Sequence, residues 1–283
     1  MITRSLRISA ICAAFVALAA CSGGPDQRGF GRDGQALESY TAEQIFERAE
    51  YEMAQDNLKD AAFYFAEIER LYPYSELAKR ALIMQAFAFH KGKDYDSTRS
   101  TAARFIAFYP ADKDAAYAQY LLGLSYYDQI SEVGRDQSLT VKALEELRKV
   151  TLLYPDSEYA KTAQLKFDLA YDHLAAKEME VGRYYLARKH YAAAANRFRV
   201  VVEDFQTSTQ TAEALHRLVE TYLALGLTDD AQTAGAILGH NFQASEWYKD
   251  SYALLTRKGV EPKGGDHGWL GQIYRQTIQG KWL

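Results

Sequence analysis

The first side chain that could do chemistry is a thiol. Cys21 closes the run Leu18-Ala19-Ala20-Cys21, behind a stretch from Ile8 to Ala20 that is apolar except for Ser9 and is headed by Arg4 and Arg7. A positive start, a short apolar run and small residues before the cut make a secretory signal. The run is too short for a membrane span, which needs about 20 apolar residues. Small residues directly before a Cys form the bacterial lipobox pattern, in which the sulfur is diacylated before the signal is removed. Cys21 is therefore expected to be the lipidated first residue of the mature chain, with residues 1–20 as the signal. An ordinary signal peptide with an incidental Cys is the alternative. Two or three acyl chains anchor stably, whereas one holds only marginally. Ser22, not an Asp, follows the Cys, which points to the outer membrane and away from retention at the inner one.

Little else could react. Cys12 would leave with the signal, so no disulfide or thiolate zinc site can form in the mature chain. The six His stand at 90, 173, 190, 216, 240 and 267, none in metal-ligand spacing with another His or a Cys. Asp266-His267-Gly268 has no nucleophile pattern around it and reads as a turn. No phosphate loop, HExxH, GxSxG or dinucleotide fingerprint is present. No enzyme, cofactor or metal site is expected, apart from the covalent lipid on Cys21.

Two groups of residues suit binding. Aromatic and apolar residues recur at helical spacing: Phe46 and Met53 with Glu50; Phe87 with Ile83, His90 and Lys91; Tyr117, Tyr120 and Tyr127 with Leu124 and Asp128. Aromatic faces with polar edges fit an extended, partly apolar peptide. The same residues could equally serve only to pack helices together. The second group is basic: Arg183, Arg188, Lys189, His190, Arg197 and Arg199 cluster in an otherwise acidic chain. The planar, multi-donor head of Arg suits partner contacts; an ordinary solvated helix face is the alternative.

The elements that must position these groups are helices in a repeat. Tyr72-Pro73, Tyr109-Pro110 and Tyr154-Pro155 each end an apolar helix, at intervals of 37 and 45 residues, and the junction recurs in degenerate form at Phe205-Gln206 and Asn241-Phe242. Pro stops a helix because it cannot extend the hydrogen-bond ladder. A period in this range marks an array of helix-turn-helix units, and the tetratricopeptide repeat, 34 residues long, fits it. Its small and bulky signature places fall on Ile45, Ala49, Ala61, Phe65 and Ile68 in repeat one. They fall on Leu82, Ala86, Phe89, Tyr95 and Phe105 in repeat two, and on Leu122, Gly123, Tyr126, Ala143, Leu147 and Val150 in repeat three. Repeat four supplies Val181, Gly182, Tyr185, Ala194, Phe198 and Val201. Repeat five is looser, with Leu218, Tyr222, Ala231 and Leu238.

The predicted fold class is all-α, a superhelical array of about five such repeats over residues 39–245. A Gly-rich tether over 21–38 precedes it, and an extension over 246–283 with room for a further amphipathic helix follows. Extra residues from Ser131 to Ser138 lengthen the turn inside repeat three. The late start of repeat four predicts one long helix from Ser157 to about Ala187. Thr41 with Gln44 makes a capping box, Asp156-Ser157 can cap the long helix, and Gly226 suits a tight turn. In such an array the first helices of successive repeats line a concave groove, where the aromatic group would lie.

Composition fits this reading. The 283 residues are 48% hydrophobic, with 21 Tyr, 13 Phe and only 5 Pro, and the formal charge is −4. An acidic balance argues against nucleic acid, whose partners carry a basic excess.

Beyond the generic repeat, the chain resembles the BamD family, lipoproteins of the β-barrel assembly machinery. The matching residues are Phe105-Ile106 before Tyr109-Pro110, Tyr120 to Gly123, Arg135-Asp136, Tyr154-Pro155-Asp156-Ser157 with Tyr159, and Tyr184-Tyr185 followed by Asn196-Arg197. The resemblance covers about residues 38–245. It implies a non-enzymatic protein on the periplasmic face of the outer membrane, which docks on a BamA-like barrel subunit and helps deliver unfolded outer-membrane β-barrel proteins. It also implies that the N-terminal repeats meet substrate and the C-terminal repeats hold the partner. Another repeat lipoprotein, coordinating division or peptidoglycan work, is the competing reading.

Overall fold

A computed structural model describes residues 35–278. Cys21, the expected signal, most of the expected tether and residues 279–283 lie outside the described residues. Among the described residues the fold is all-helical: a 3-10 turn at Leu37–Ser39 and twelve α-helices. These are α1 (Ala42–Ala54), α2 (Leu58–Leu71), α3 (Glu76–Lys91), α4 (Tyr95–Phe108), α5 (Ala115–Tyr127) and α6 (Ser138–Leu153). They continue as α7 (Glu158–Ala187), α8 (Tyr191–Asp204), α9 (Thr211–Leu225), α10 (Thr228–Asn241), α11 (Glu246–Arg257) and α12 (Gly268–Thr277). Consecutive helices from α1 to α11 pack on each other, and each odd-numbered helix up to α5 also touches the next odd one. That is the pattern of a helix-turn-helix array, and five pairs from α1·α2 to α9·α10 match the five repeats read from sequence.

The signature residues form the core. Ala49, Ala61, Phe65, Ala86, Phe105, Ala143, Leu147, Val150, Ala194, Phe198, Val201, Leu218, Ala231 and Leu238 are fully buried. Small residues let the two helices of a pair approach. A Cβ added at Gly182 would stand 2.4 Å from the Phe198 ring, so this crossing tolerates only glycine without rearrangement. The burial divides into four clusters that follow each other along the chain, the first within α1–α3 and the last within α7–α12.

Local signals match the element ends. Thr41 and Gln44 form both bonds of the capping box. Gly226 takes φ 78° after α9. Asp56, Lys93 and Lys189 adopt the same left-handed conformation at the equivalent step of repeats one, two and four, with φ of 61°, 59° and 62°. There the turn geometry overrides a local cost that glycine would avoid. The long helix is present as α7, and the extended turn of repeat three runs from Asp128 to Gln137. Ser157 does sit at the N-cap of α7, but its side chain makes no capping bond, and its hydroxyl is buried without a partner.

The C-terminal extension contributes two helices. Ser245 caps α11 through the Tyr248 amide, and α11 packs on α9 and α10 as the next repeat's first helix would. The chain then folds back over residues 258–267 so that α12 lies on α10, burying Leu270 and Ile273 in the last cluster.

Candidate partner-binding surfaces

The aromatic group expected to line a groove is brought together only in part. Phe46, on α1, is buried: its ring meets Phe65 edge-on at 5.3 Å, with the Arg80 guanidinium 4.8 Å above it. Met53 and Phe87 are half-buried against the first and second clusters. Tyr117, Tyr120 and Tyr127 share α5 but differ in exposure. Tyr120 keeps 8% of its surface and stacks on Tyr159 of α7 at 5.5 Å. Tyr117 tilts against the same ring at 4.9 Å. Burial, then the neighbouring phenols Tyr159 and Tyr120, pushes its hydroxyl up to about 12. Tyr127 is half-buried against the same cluster but clear of Tyr159, with the Lys166 ammonium 4.3 Å over its ring.

Beside Tyr127 lies a hollow of about 300 Å³ lined by Tyr127, Ile130, Ser131, Leu169, Ala170 and His173. Leu165 and Leu169, one turn apart on α7, are 56% and 60% exposed. The His173 Nε2 is buried without a hydrogen-bond partner. Neither α7 leucine nor His173 stands out in the sequence as a binding residue, because each sits in the surplus half of the long helix, outside the repeat pattern. At the edge of this surface His90 of α3 places its Nε2 3.1 Å from Asp128. Burial lowers the His90 pKa, and Asp128 opposes that shift.

The basic group of repeat four is spread over α7, α8 and the turn between them. Three of its four predicted docking arginines meet carboxylates of their own chain. Arg183 pairs with Glu213 at 3.0 Å, Arg197 with Glu178 at 3.0 Å, and Arg199 with Glu203 at 2.8 Å. Arg188 instead lies over the Tyr184 ring at 3.6 Å. The paired guanidinium side chains remain 43–45% exposed, so water screens each pair and its worth is about 1 kcal/mol or less. A partner carboxylate can replace the internal one at small cost. Arg197 also borders a hollow of about 280 Å³ with Tyr185, Ala193, Asn196 and Val200, where an apolar side chain could seat beside the charge. Arg199 is partly covered from within: the Trp269 ring of α12 lies 4.9 Å from its guanidinium.

Among the described residues no group of His, Cys, Asp and Glu could hold a metal ion, and no helix is long and apolar enough to cross a membrane. The family model for YfiO, described as outer membrane lipoprotein, matches residues 38–237. The chain belongs to the YfiO family. Its relatives include proteins named outer membrane protein assembly factor BamD. The one from Caulobacter vibrioides is 46% identical over 73% of this chain and 68% of its own length. The one from Rickettsia prowazekii is 42% identical over 70% and 78%, and one from Neisseria meningitidis is 27% identical over 81% and 89%. The YfiO match runs from the 3-10 turn before α1 into α10, so it includes both candidate surfaces and leaves α11 and α12 beyond its end.

Proposed function

We propose that this chain is a non-enzymatic scaffold of the outer-membrane β-barrel assembly machinery, held at the periplasmic face of the outer membrane by acyl chains on Cys21. The observation that carries the reading is the YfiO match across all five repeats, together with relatives named as assembly factors. Repeats one to three receive extended, partly apolar segments of unfolded outer-membrane proteins along Tyr127, the neighbouring hollow and the edges of Tyr117 and Phe87. Repeat four docks on the barrel subunit through Arg197 and the hollow beside it, with Arg183 and Arg188 flanking. Ion pairs that are half-exposed and internal suit this role. They keep the free protein soluble and exchange for a partner carboxylate with little loss.

The test is mild detergent extraction of the outer membrane, capture of this protein and identification of what accompanies it. Recovery of a β-barrel subunit with periplasmic domains supports the proposal. Recovery of division or peptidoglycan enzymes without such a subunit overturns it.

A further inference from the structure

One edge of the array is made by the junctions between repeats, where the second helix of each pair ends and the first helix of the next begins. Interactions one repeat apart keep these junctions in line. The Tyr72 hydroxyl donates to the Tyr40 carbonyl, and the Tyr154 hydroxyl to the Pro110 carbonyl at 3.5 Å. Lys79 reaches Asp112 at 2.8 Å, and Arg104 reaches Glu69 at 2.8 Å. Along this edge the exposed residues change character. At the first three junctions they include Tyr74 (100% exposed), Phe108 (62%), and Leu152 with Leu153 (67% and 63%). At the next two junctions the exposed residues are polar or small: Asp204, Gln206, Thr207 and Thr209, then His240, Asn241, Gln243 and Ala244.

Scattered apolar residues on a surface need no explanation. Four large ones at the junctions of three successive repeats, with only polar or small residues exposed at the next two, form a pattern. Nothing in the core uses them, since the neighbouring Phe65, Phe105, Leu147 and Val150 already fill the pair interiors.

The chain enters the array at this edge. Leu37 is buried in the first cluster, Glu38 pairs with Arg70 at 3.0 Å, and the Tyr40 carbonyl takes the Tyr72 hydroxyl. Gln35 is therefore held near the first apolar junction. The segment from Cys21 to Gln35 reaches at most about 50 Å even fully extended. A lipid on Cys21 would hold this edge close to the bilayer and raise its effective concentration there. Aromatic rings and leucines at helix ends and turns suit the boundary between headgroups and acyl chains, where the ring body sits in hydrocarbon and a Tyr hydroxyl stays wet.

We propose that the junction edge of repeats one to three rests on the membrane surface, with Tyr74, Phe108, Leu152 and Leu153 inserting at the headgroup boundary, while repeats four and five stand clear. The proposal rests on the lipid anchor at Cys21. The anchor restrains one end of the array, and the edge residues fix its orientation. The concave side and the repeat-four surface are thereby left open to the periplasm.

The mature chain's sole cysteine is the acylated one, so an added thiol can be labelled selectively. The full lipidated protein is placed in phosphatidylethanolamine–phosphatidylglycerol vesicles with an environment-sensitive fluorophore at Ala111→Cys, an exposed site beside Phe108, or at Gln243→Cys as the control. Quenching by brominated acyl chains should be several-fold stronger at position 111 than at 243. It should fall to the control level when Tyr74, Phe108, Leu152 and Leu153 are all changed to Ser. Flotation with the vesicles and the mass of the N-terminal peptide report the anchor separately, so an unlipidated protein condemns the anchor and not the edge. Equal weak quenching at both sites in a lipidated, floating protein overturns the proposal. So does shielding of position 111 that appears only when the barrel subunit is added, because the edge would then be a protein interface.

Discussion

His216 of α9 and Ser251 of α11 lie side by side with Nδ1 and Oγ 2.8 Å apart, and both side chains are buried. This bond ties the C-terminal extension to repeat five. Around it stand Trp247, whose ring is 5.3 Å from the imidazole, and Glu220, Arg217, Asp250 and Glu213. Burial is the main cause lowering the His216 pKa, which Glu220 partly opposes and Arg217 reinforces.

A histidine held below its ordinary value of 6.5 in the fold binds its proton more readily when unfolded. Its neutral form favours the fold fully above that unfolded value, and the advantage is lost as pH falls through 6.5 toward the lower folded value. Thermal unfolding followed at pH 7.5 and pH 5.5 should show a drop that His216→Gln reduces. An equal drop in the variant would assign the acid sensitivity to other groups.

Gly182→Ala should destabilise the array at the α7–α8 crossing. The new methyl would meet the Phe198 ring well inside contact distance. Overpacking of this kind costs about 1–3 kcal/mol, so the melting temperature should fall. Gly226→Ala has open space around it but strains a positive φ, so its cost should be about 1–2 kcal/mol. A Gly182→Ala protein that melts like the wild type would mean that Phe198 can move aside freely.

Tyr120 and Tyr127 should separate stability from binding. Tyr120→Ala removes a buried ring stacked on Tyr159 and should cost on the order of 3 kcal/mol of stability. Tyr127→Ala, at a half-buried ring, should lower the melting temperature by clearly less. It should weaken a peptide taken from the end of an outer-membrane β-barrel protein by about 1 kcal/mol, read by titration calorimetry or anisotropy. Unchanged affinity in Tyr127→Ala would move the peptide site off this surface.

Arg197→Glu should lose the barrel subunit on co-purification while melting close to the wild type, because the pair it breaks with Glu178 is partly solvated. Arg197→Lys should be milder, since Lys keeps the charge but not the two-pronged donor geometry. Raising the salt should weaken wild-type retention if the contact is at a solvated rim. Full retention by Arg197→Glu would shift docking to another face.

The pair crossings were legible because they depend on residue size at fixed spacing. Gly182 with Phe198 and Gly123 with Leu147 each set a small residue against a large one. The length of α7 could be read from the delayed fourth repeat. Exposure was not legible within the aromatic group: Tyr117, Tyr120 and Tyr127 share a helix, but only the position of Tyr159, on a helix from the next pair, decides which two are covered. The same holds for the basic group. Glu213 lies 30 residues from Arg183, and Trp269 lies 70 from Arg199, and no local pattern announces either contact. The return of α12 was hidden for that reason also: it follows a nonperiodic stretch and its partners are set only by the folded array.

The unbroken α7 has a mechanical consequence. Its first half contributes Ala163 to the cluster shared with α5 and α6, and its second half contributes Ala175 and Met179 to the terminal cluster. Thirty residues of helix form a strut about 45 Å long, and it has no proline at which to hinge. A tilt of about 10° imposed at one end would sweep the other by about 8 Å over that length. Load applied at the second half of α7 would therefore reach the first half as leverage, with little lost to bending on the way.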